Sequence, residues 1–253
     1  MTTKTATAHS SVREFFLYLG SAVALYASAI SLLNLLFDVI NAQFPDILDY
    51  GFDPYSSSLR IAIATLVILF PIYIVLVRIL NNELAKFPAR RDAAVRKWLT
   101  YVTLFLAGIA VVVDLVVLIN TFLGGEVTTR FSFKVLAVLI VAGGIFGYYF
   151  YDLRNHWQAK RMHARIVSYI AMAFVLASII LAFTVVGSPK TQRLIRLDNQ
   201  KVSDLQSIQW QIINYWQQKG TLPKALDVLA DPISGFIVPK DAESNLGKMY
   251  TYT

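Results

Sequence analysis

Five long apolar blocks constrain this chain more than any other feature. They run from about Phe15 to Ile40, Ile61 to Val77, Trp98 to Leu123, Phe133 to Tyr151 and Ile166 to Val186. A helix of about twenty residues rises about 30 Å, the thickness of a bilayer's hydrocarbon core. No water reaches backbone N–H and C=O groups there, so each block has to be helical to satisfy them. The fold class that follows is an all-α integral membrane bundle with spans at about 15–40, 59–79, 98–122, 132–151 and 166–186. Only 15% of the 253 residues are charged and 56% are apolar, against about a quarter charged in soluble domains. That balance excludes a soluble enzyme and a disordered chain.

The first block has a rival reading as a signal peptide, because Ala27-Ser28-Ala29 resembles a cleavage site. A signal core is short, whereas this block stays apolar to Phe37, so a retained span is expected. Residues 1–11 are small and polar and read as a disordered tail. Pro71 lies within the second span, where neighbouring helices can satisfy the carbonyl it frees.

Charge between the spans sets the expected orientation. The 81–97 connection carries Lys86, Arg90, Arg91, Arg96 and Lys97; the 152–165 connection carries Arg154, Lys160, Arg161 and Arg165. The 41–58 connection has no Lys or Arg and holds Asp46, Asp49 and Asp53, and 124–130 has Arg130 alone. Basic loops stay cytoplasmic, which predicts an N-terminus inside and, after five spans, a C-terminus outside. Trp98, Trp157 and the Tyr148-Tyr149-Tyr151 group fall at span ends, where such rings favour the headgroup region. The net charge of +7 is thus accounted for by topology, and no nucleic-acid partner is expected. Cys is absent, which removes disulfides, thiolate metal sites and cysteine nucleophiles.

After a membrane domain over 12–187, residues 188–253 read as a separate extracytoplasmic segment. Leu194, Leu197, Leu205, Ile208, Ile212 and Tyr215 form one stripe on an amphipathic helix that ends at Lys219-Gly220. Pro223 opens a helical turn through Leu229, and Phe236-Ile237-Val238 and Met249-Tyr250-Thr251-Tyr252 suggest short strands. A small α+β headpiece is expected, leaning on the membrane domain or on a partner, since its length is marginal for a core of its own. Trp210, Tyr215 and Trp216 either close that core or form a contact surface for another envelope protein through 190–253.

Two resemblances extend this reading. The motifs Arg13-Glu14-Phe15-Phe16-Leu17-Tyr18-Leu19, Arg96-Lys97-Trp98-Leu99-Thr100-Tyr101, Phe122-Leu123-Gly124-Gly125-Glu126 and Gly143-Gly144-Ile145-Phe146-Gly147-Tyr148-Tyr149 resemble an uncharacterised bacterial family of four-span membrane domains. The resemblance covers about 12–154, implies a bacterial cytoplasmic membrane, and brings no substrate or catalytic residue with it. The fifth span followed by Asp198-Asn199-Gln200-Lys201-Val202-Ser203-Asp204-Leu205, Lys219-Gly220-Thr221-Leu222-Pro223 and Asp231-Pro232 is similar to type IV pilins and pseudopilins over 166–232. It lacks their glycine cleavage site with glutamate at the fifth mature position, so a processed, polymerising pilin is not expected.

The span residues that could carry chemistry are few. Asp114 sits in the outer half of the third span, where an ionised carboxylate needs a partner or a watery cavity. Lys134, Arg60, Asp38 and Asn34 lie at similar depth, so an outer-leaflet polar cluster is expected, either an Asp114–Lys134 salt bridge or a titrating site. The inner halves of the spans read as almost wholly apolar. Gly143 with Gly147, Ala24 with Ser28, and Ala173 with Ala177 are small pairs that let helices approach closely, within the chain or in a homo-oligomer. His9, His156 and His163 have no ligand partners at useful spacing, so neither metal nor cofactor is expected. With no H-E-x-x-H, G-x-S-x-G, Walker or dinucleotide motif, the function expected is non-enzymatic. It is a scaffold that presents its headpiece, the alternative being a small transporter, channel or sensor built on Asp114.

Overall fold

The structure is a computed structural model that describes residues 12–45, 57–86, 93–125, 127–154, 161–230, 235–241 and 250–252. The expected tail 1–11 lies outside these residues, as do Asp46, Asp49, Asp53, Arg90, Arg91, Glu126, His156, Trp157, Lys160, Asp231, Pro232 and Met249. The chain divides into two compact units, Met1–Val186 and Gly187–Thr253.

The first unit consists of α1 (Val12–Gln43), α2 (Ser57–Lys86), α3 (Ala94–Leu123), α4 (Thr129–Leu153) and α5 (Arg161–Val186). All five helices are long and apolar enough to cross a bilayer, and this is a membrane protein. Gly124-Gly125 reverses the chain between α3 and α4, as a turn should, with Gly125 at φ 73°, which a side chain would strain. Thr128 then caps α4 by accepting from the Phe131 N–H at 3.1 Å.

Contacts at the helix ends fix their directions. At one end, here the upper end, Arg130 Nε donates to Asn41 Oδ1 at 2.7 Å and the Phe44 and Phe133 rings stack 5.0 Å apart. At the lower end Arg13 pairs with Glu83 at 2.8 Å, and Arg96 with Asp152 at 2.7 Å. From α1 to α4, neighbours in sequence therefore run antiparallel. Helix α1 is the hub, touching α2, α3, α4 and α5, while α3 packs on α4 and α2 on α5. The densest core joins Leu32, Leu35, Leu59, Leu66, Val141, Val175 and Ala182, of which Leu35, Leu59, Leu66 and Ala182 are fully buried. Many other apolar side chains of the spans are exposed, above all on α3 and α5, as lipid as solvent permits.

In the second unit, Ser188 caps α6 (Pro189–Lys219), accepting from the Thr191 N–H at 3.2 Å with Pro189 in the first turn. The helix ends at Gly220, left-handed at φ 69°, whose N–H returns to the Trp216 carbonyl at 2.8 Å. A 3₁₀ turn, Leu226–Leu229, folds back on it. Ile208, Leu226, Leu229 and Val238 form a small core, flanked by Ile212, Tyr215, Phe236, Tyr250 and Tyr252.

Two expectations need correction here. The α+β headpiece is not supported: among the described residues there is no strand, and Phe236 and Lys240 carry only isolated bridges. Gly235 at φ 73° and Pro239, which has no N–H, bracket a run too short to sustain a ladder. The apolar stripe is also shifted, since Leu194 and Leu205 are exposed while Asp204 takes the core-side position below Ile208. That carboxylate is buried because Gln200 Nε2 donates to it at 2.8 Å and the Tyr250 hydroxyl at 2.9 Å.

Candidate functional site

The polar residues expected to converge are only partly brought together. Asp38, near the upper end of α1, accepts from Ser58 at the start of α2 and lies in the field of Lys134 from α4. Lys134 Nζ also sits 5.7 Å from the centroid of the Phe37 ring. Arg60 is half-buried on α2, next to Leu59 of the core. These groups lie on α1, α2 and α4 near their upper ends.

Asp114 and Asn34 stand apart from that group. Asp114 Oδ2 is buried without a hydrogen bond, and among the described residues no ion pair joins Asp114 to Lys134. Helical rise explains the separation. Asp114 is nine residues, about 14 Å, below the upper end of α3, whereas Lys134 is five residues, about 8 Å, below that of α4. Lys134 is level with Asp38 instead. Asn34 is exposed, on the face of α1 opposite its buried residues.

The lower half of the bundle is more polar than expected. Beyond the Arg96–Asp152 pair, Glu14 is only 6% exposed, and Tyr18 lies in the combined field of Arg96, Glu14, Asp152 and Glu83. Tyr73 and Tyr149 share a hydrogen bond, with Tyr148 beside them. Deeper still, Tyr26 and Thr103 hydroxyls meet at 2.7 Å while Thr103 donates to the Leu99 carbonyl at 2.8 Å. Position at a span end assigns Tyr148 and Tyr149 to the headgroup belt; in the fold both are half-buried, in contact with Tyr73. The signal in the sequence that points to this cluster is the alignment of Glu14, Glu83, Arg96 and Asp152, four charges each within one turn of a helix end.

Small residues divide in the same way. Ala24 and Ser28 are buried on α1, although Ser28 Oγ has no partner. Ala173 and Ala177 are exposed, because α5 packs through Val175, Ser178, Ala182 and Val186 instead. A Cβ at Gly143 or Gly147 would meet open space, so this pair closes no helix–helix contact among the described residues. Gly20 and Gly108 do so instead: a methyl group at either position would lie 3.6 Å from the Leu76 or Phe146 side chain. In the second unit Tyr215 joins the core, whereas Trp210 and Trp216 are 66% and 54% exposed. Trp210 borders an open groove of about 540 Å³ with Ser203, Gln206, Ser207, Gln209 and Ile213.

Residues 14–149 match a family described as a domain of unknown function (DUF5671). The chain belongs to this family. No curated protein and no solved structure matches it, and the likeness of 166–232 to pilins is not shown. The family portion covers α1, α2, α3 and most of α4. It therefore contains Asp38, Arg60, Asp114 and Lys134, together with Glu14, Tyr73, Arg96 and Tyr149, and stops just short of Asp152. Helix α5 and the second unit lie beyond it. Among the described residues no group of three His, Asp or Glu side chains is placed to hold a metal ion.

Proposed function

We propose that this is a non-enzymatic scaffold of the bacterial cytoplasmic membrane, with its N-terminus inside and its second unit presented on the outer face. The observation that carries the reading is the contrast within α6. Ile208, Ile212 and Tyr215 complete a core of their own, while Trp210 and Trp216 are left in the open. Tryptophan is among the side chains enriched at the energetic centres of protein interfaces. The basic 81–97 and 152–165 connections against the acidic 41–58 connection support the orientation. The pilin-like outline of a long helix with a short tail folded onto it is compatible with presentation. The test is affinity purification from native membranes. A Trp210→Ala/Trp216→Ala variant that inserts normally should lose its co-purifying envelope protein; equal recovery of that protein would refute the proposal.

A second reading is supported by three buried oxygens in the spans that lack partners, Ser28 Oγ, Asp38 Oδ2 and Asp114 Oδ2. Groups of this kind line polar pathways or ligand sites in membrane proteins. A transporter, channel or sensor built on Asp114 should keep its activity without residues 187–253 and lose it on Asp114→Asn.

A further inference from the structure

We infer that α1 carries a self-association surface, and that Asn34 is the polar contact at its centre, paired with Asn34 of a second copy of this chain. The inference is independent of what the second unit binds. Helix α1 buries one face, through Glu14, Ala22, Ala24, Leu25, Ser28, Leu32 and Leu35. The opposite face carries Phe16, Leu19, Val23, Ile30 and Asn34, all exposed, with Ala27 half-buried between them. These positions recur at three- and four-residue spacing, the pattern of a helix seam.

Asn34 is the anomaly in this seam. It lies seven residues, about 10 Å along the axis, below Asn41, which marks the upper end through its bond to Arg130. Its carboxamide is therefore directed into hydrocarbon, where an unmet amide is costly and acyl tails offer no donor or acceptor. A side-chain amide has both donors and an acceptor, so it complements a copy of itself. A two-fold axis past Asn34 brings the two amides together at the same depth, each NH₂ donating to the other's oxygen. A second copy presents an identical amide at an identical depth by symmetry. The flanking Val23, Ala27 and Ile30 supply the van der Waals contact that association in lipid requires.

The absence of cysteine makes the test direct. Single cysteines are placed in the full chain at Val23 and Ile30 on the seam and at Leu25 and Leu32 on the buried face, then oxidised in native membranes. The seam positions should give a covalent dimer and the buried positions none. In the Ile30→Cys background, Asn34→Leu should weaken association about tenfold in liposome dilution, while Asn34→Gln retains it. An unchanged melting temperature for Asn34→Leu monomers in detergent separates lost association from lost folding. Three results would overturn the inference: no crosslink on the seam, crosslinking to a different protein, or a dimer indifferent to Asn34→Leu.

Discussion

Tyr250→Phe offers the most quantitative test of how the second unit is held together. The Tyr250 hydroxyl donates to Asp204 Oδ2 at 2.9 Å, and Asp204 is only 7% exposed, so solvent cannot replace the lost donor. Hydrogen bonds to charged groups contribute about 1.5–3 kcal/mol. Gln200 remains as a second donor to the carboxylate, which places the expected loss near the lower figure, about 1.5 kcal/mol. If α6 opens from its tail as one unit, amide exchange around residues 204–212 should quicken about tenfold. Alkaline pH probes the same bond. Desolvation, together with the hydrogen bond to Asp204 and the charges of Asp204 and Asp241, raises the Tyr250 phenol to about 12. The folded unit thus holds this proton longer than the unfolded chain, whose phenol titrates near 10. The stabilisation is fully present below pH 10 and is lost as pH rises from 10 to about 12. Exchange of full-length protein in detergent, followed by mass spectrometry across that window, should show wild-type protection falling and the Phe variant changing less. Equal exchange in the two proteins at pH 7 would show that the Tyr250–Asp204 bond does not stabilise the unit.

Other substitutions test the membrane unit. Arg96→Ala should lower the melting temperature in detergent, by about 2 kcal/mol of stability, because it strands Asp152 with its side chain 29% exposed; the swapped pair Arg96→Asp/Asp152→Arg should recover part of this. Leu66→Ala removes a fully buried side chain and should cost about 2–5 kcal/mol in the same melts, whereas Leu123→Ala, 79% exposed, should change little. Asp114→Leu deletes a buried oxygen without a partner and should leave the melting temperature unchanged or raised. Asp38→Leu, which abandons Ser58 and Lys134, should lower it.

The bundle is legible in the sequence because lipid enforces length and apolarity, and both are written along the chain. Five spans and the Gly124-Gly125 turn follow from that alone. Side-chain partnerships are less legible, because depth along separate helices has to be compared. Lys134 pairs with Asp114 on a coarse reading of depth, yet a few residues' difference in rise sets it beside Asp38. Small-residue spacing does not say which face a helix buries. Ala24 and Ser28 are buried in the bundle, whereas Ala173 and Ala177 are exposed and, among the described residues, a Cβ at Gly143 or Gly147 would meet open space. The lower cluster is hidden from the sequence because Tyr148 and Tyr149 fit the headgroup belt by position, and only the fold brings Tyr73 to them. In α6 a buried Asp204 displaces Leu205 from the core face, an exchange hydropathy cannot anticipate without knowing that Tyr250 returns to bond it.

The arrangement of the chain across the membrane underlies every role proposed, and cysteine accessibility measures it directly. Single cysteines at Phe44, Thr221, Ala94 and Arg154 are to be probed with an impermeant maleimide on intact spheroplasts and again after lysis. Positions 44 and 221 should label from outside, and 94 and 154 only after lysis. Labelling of 44 and 221 from opposite sides would contradict this arrangement.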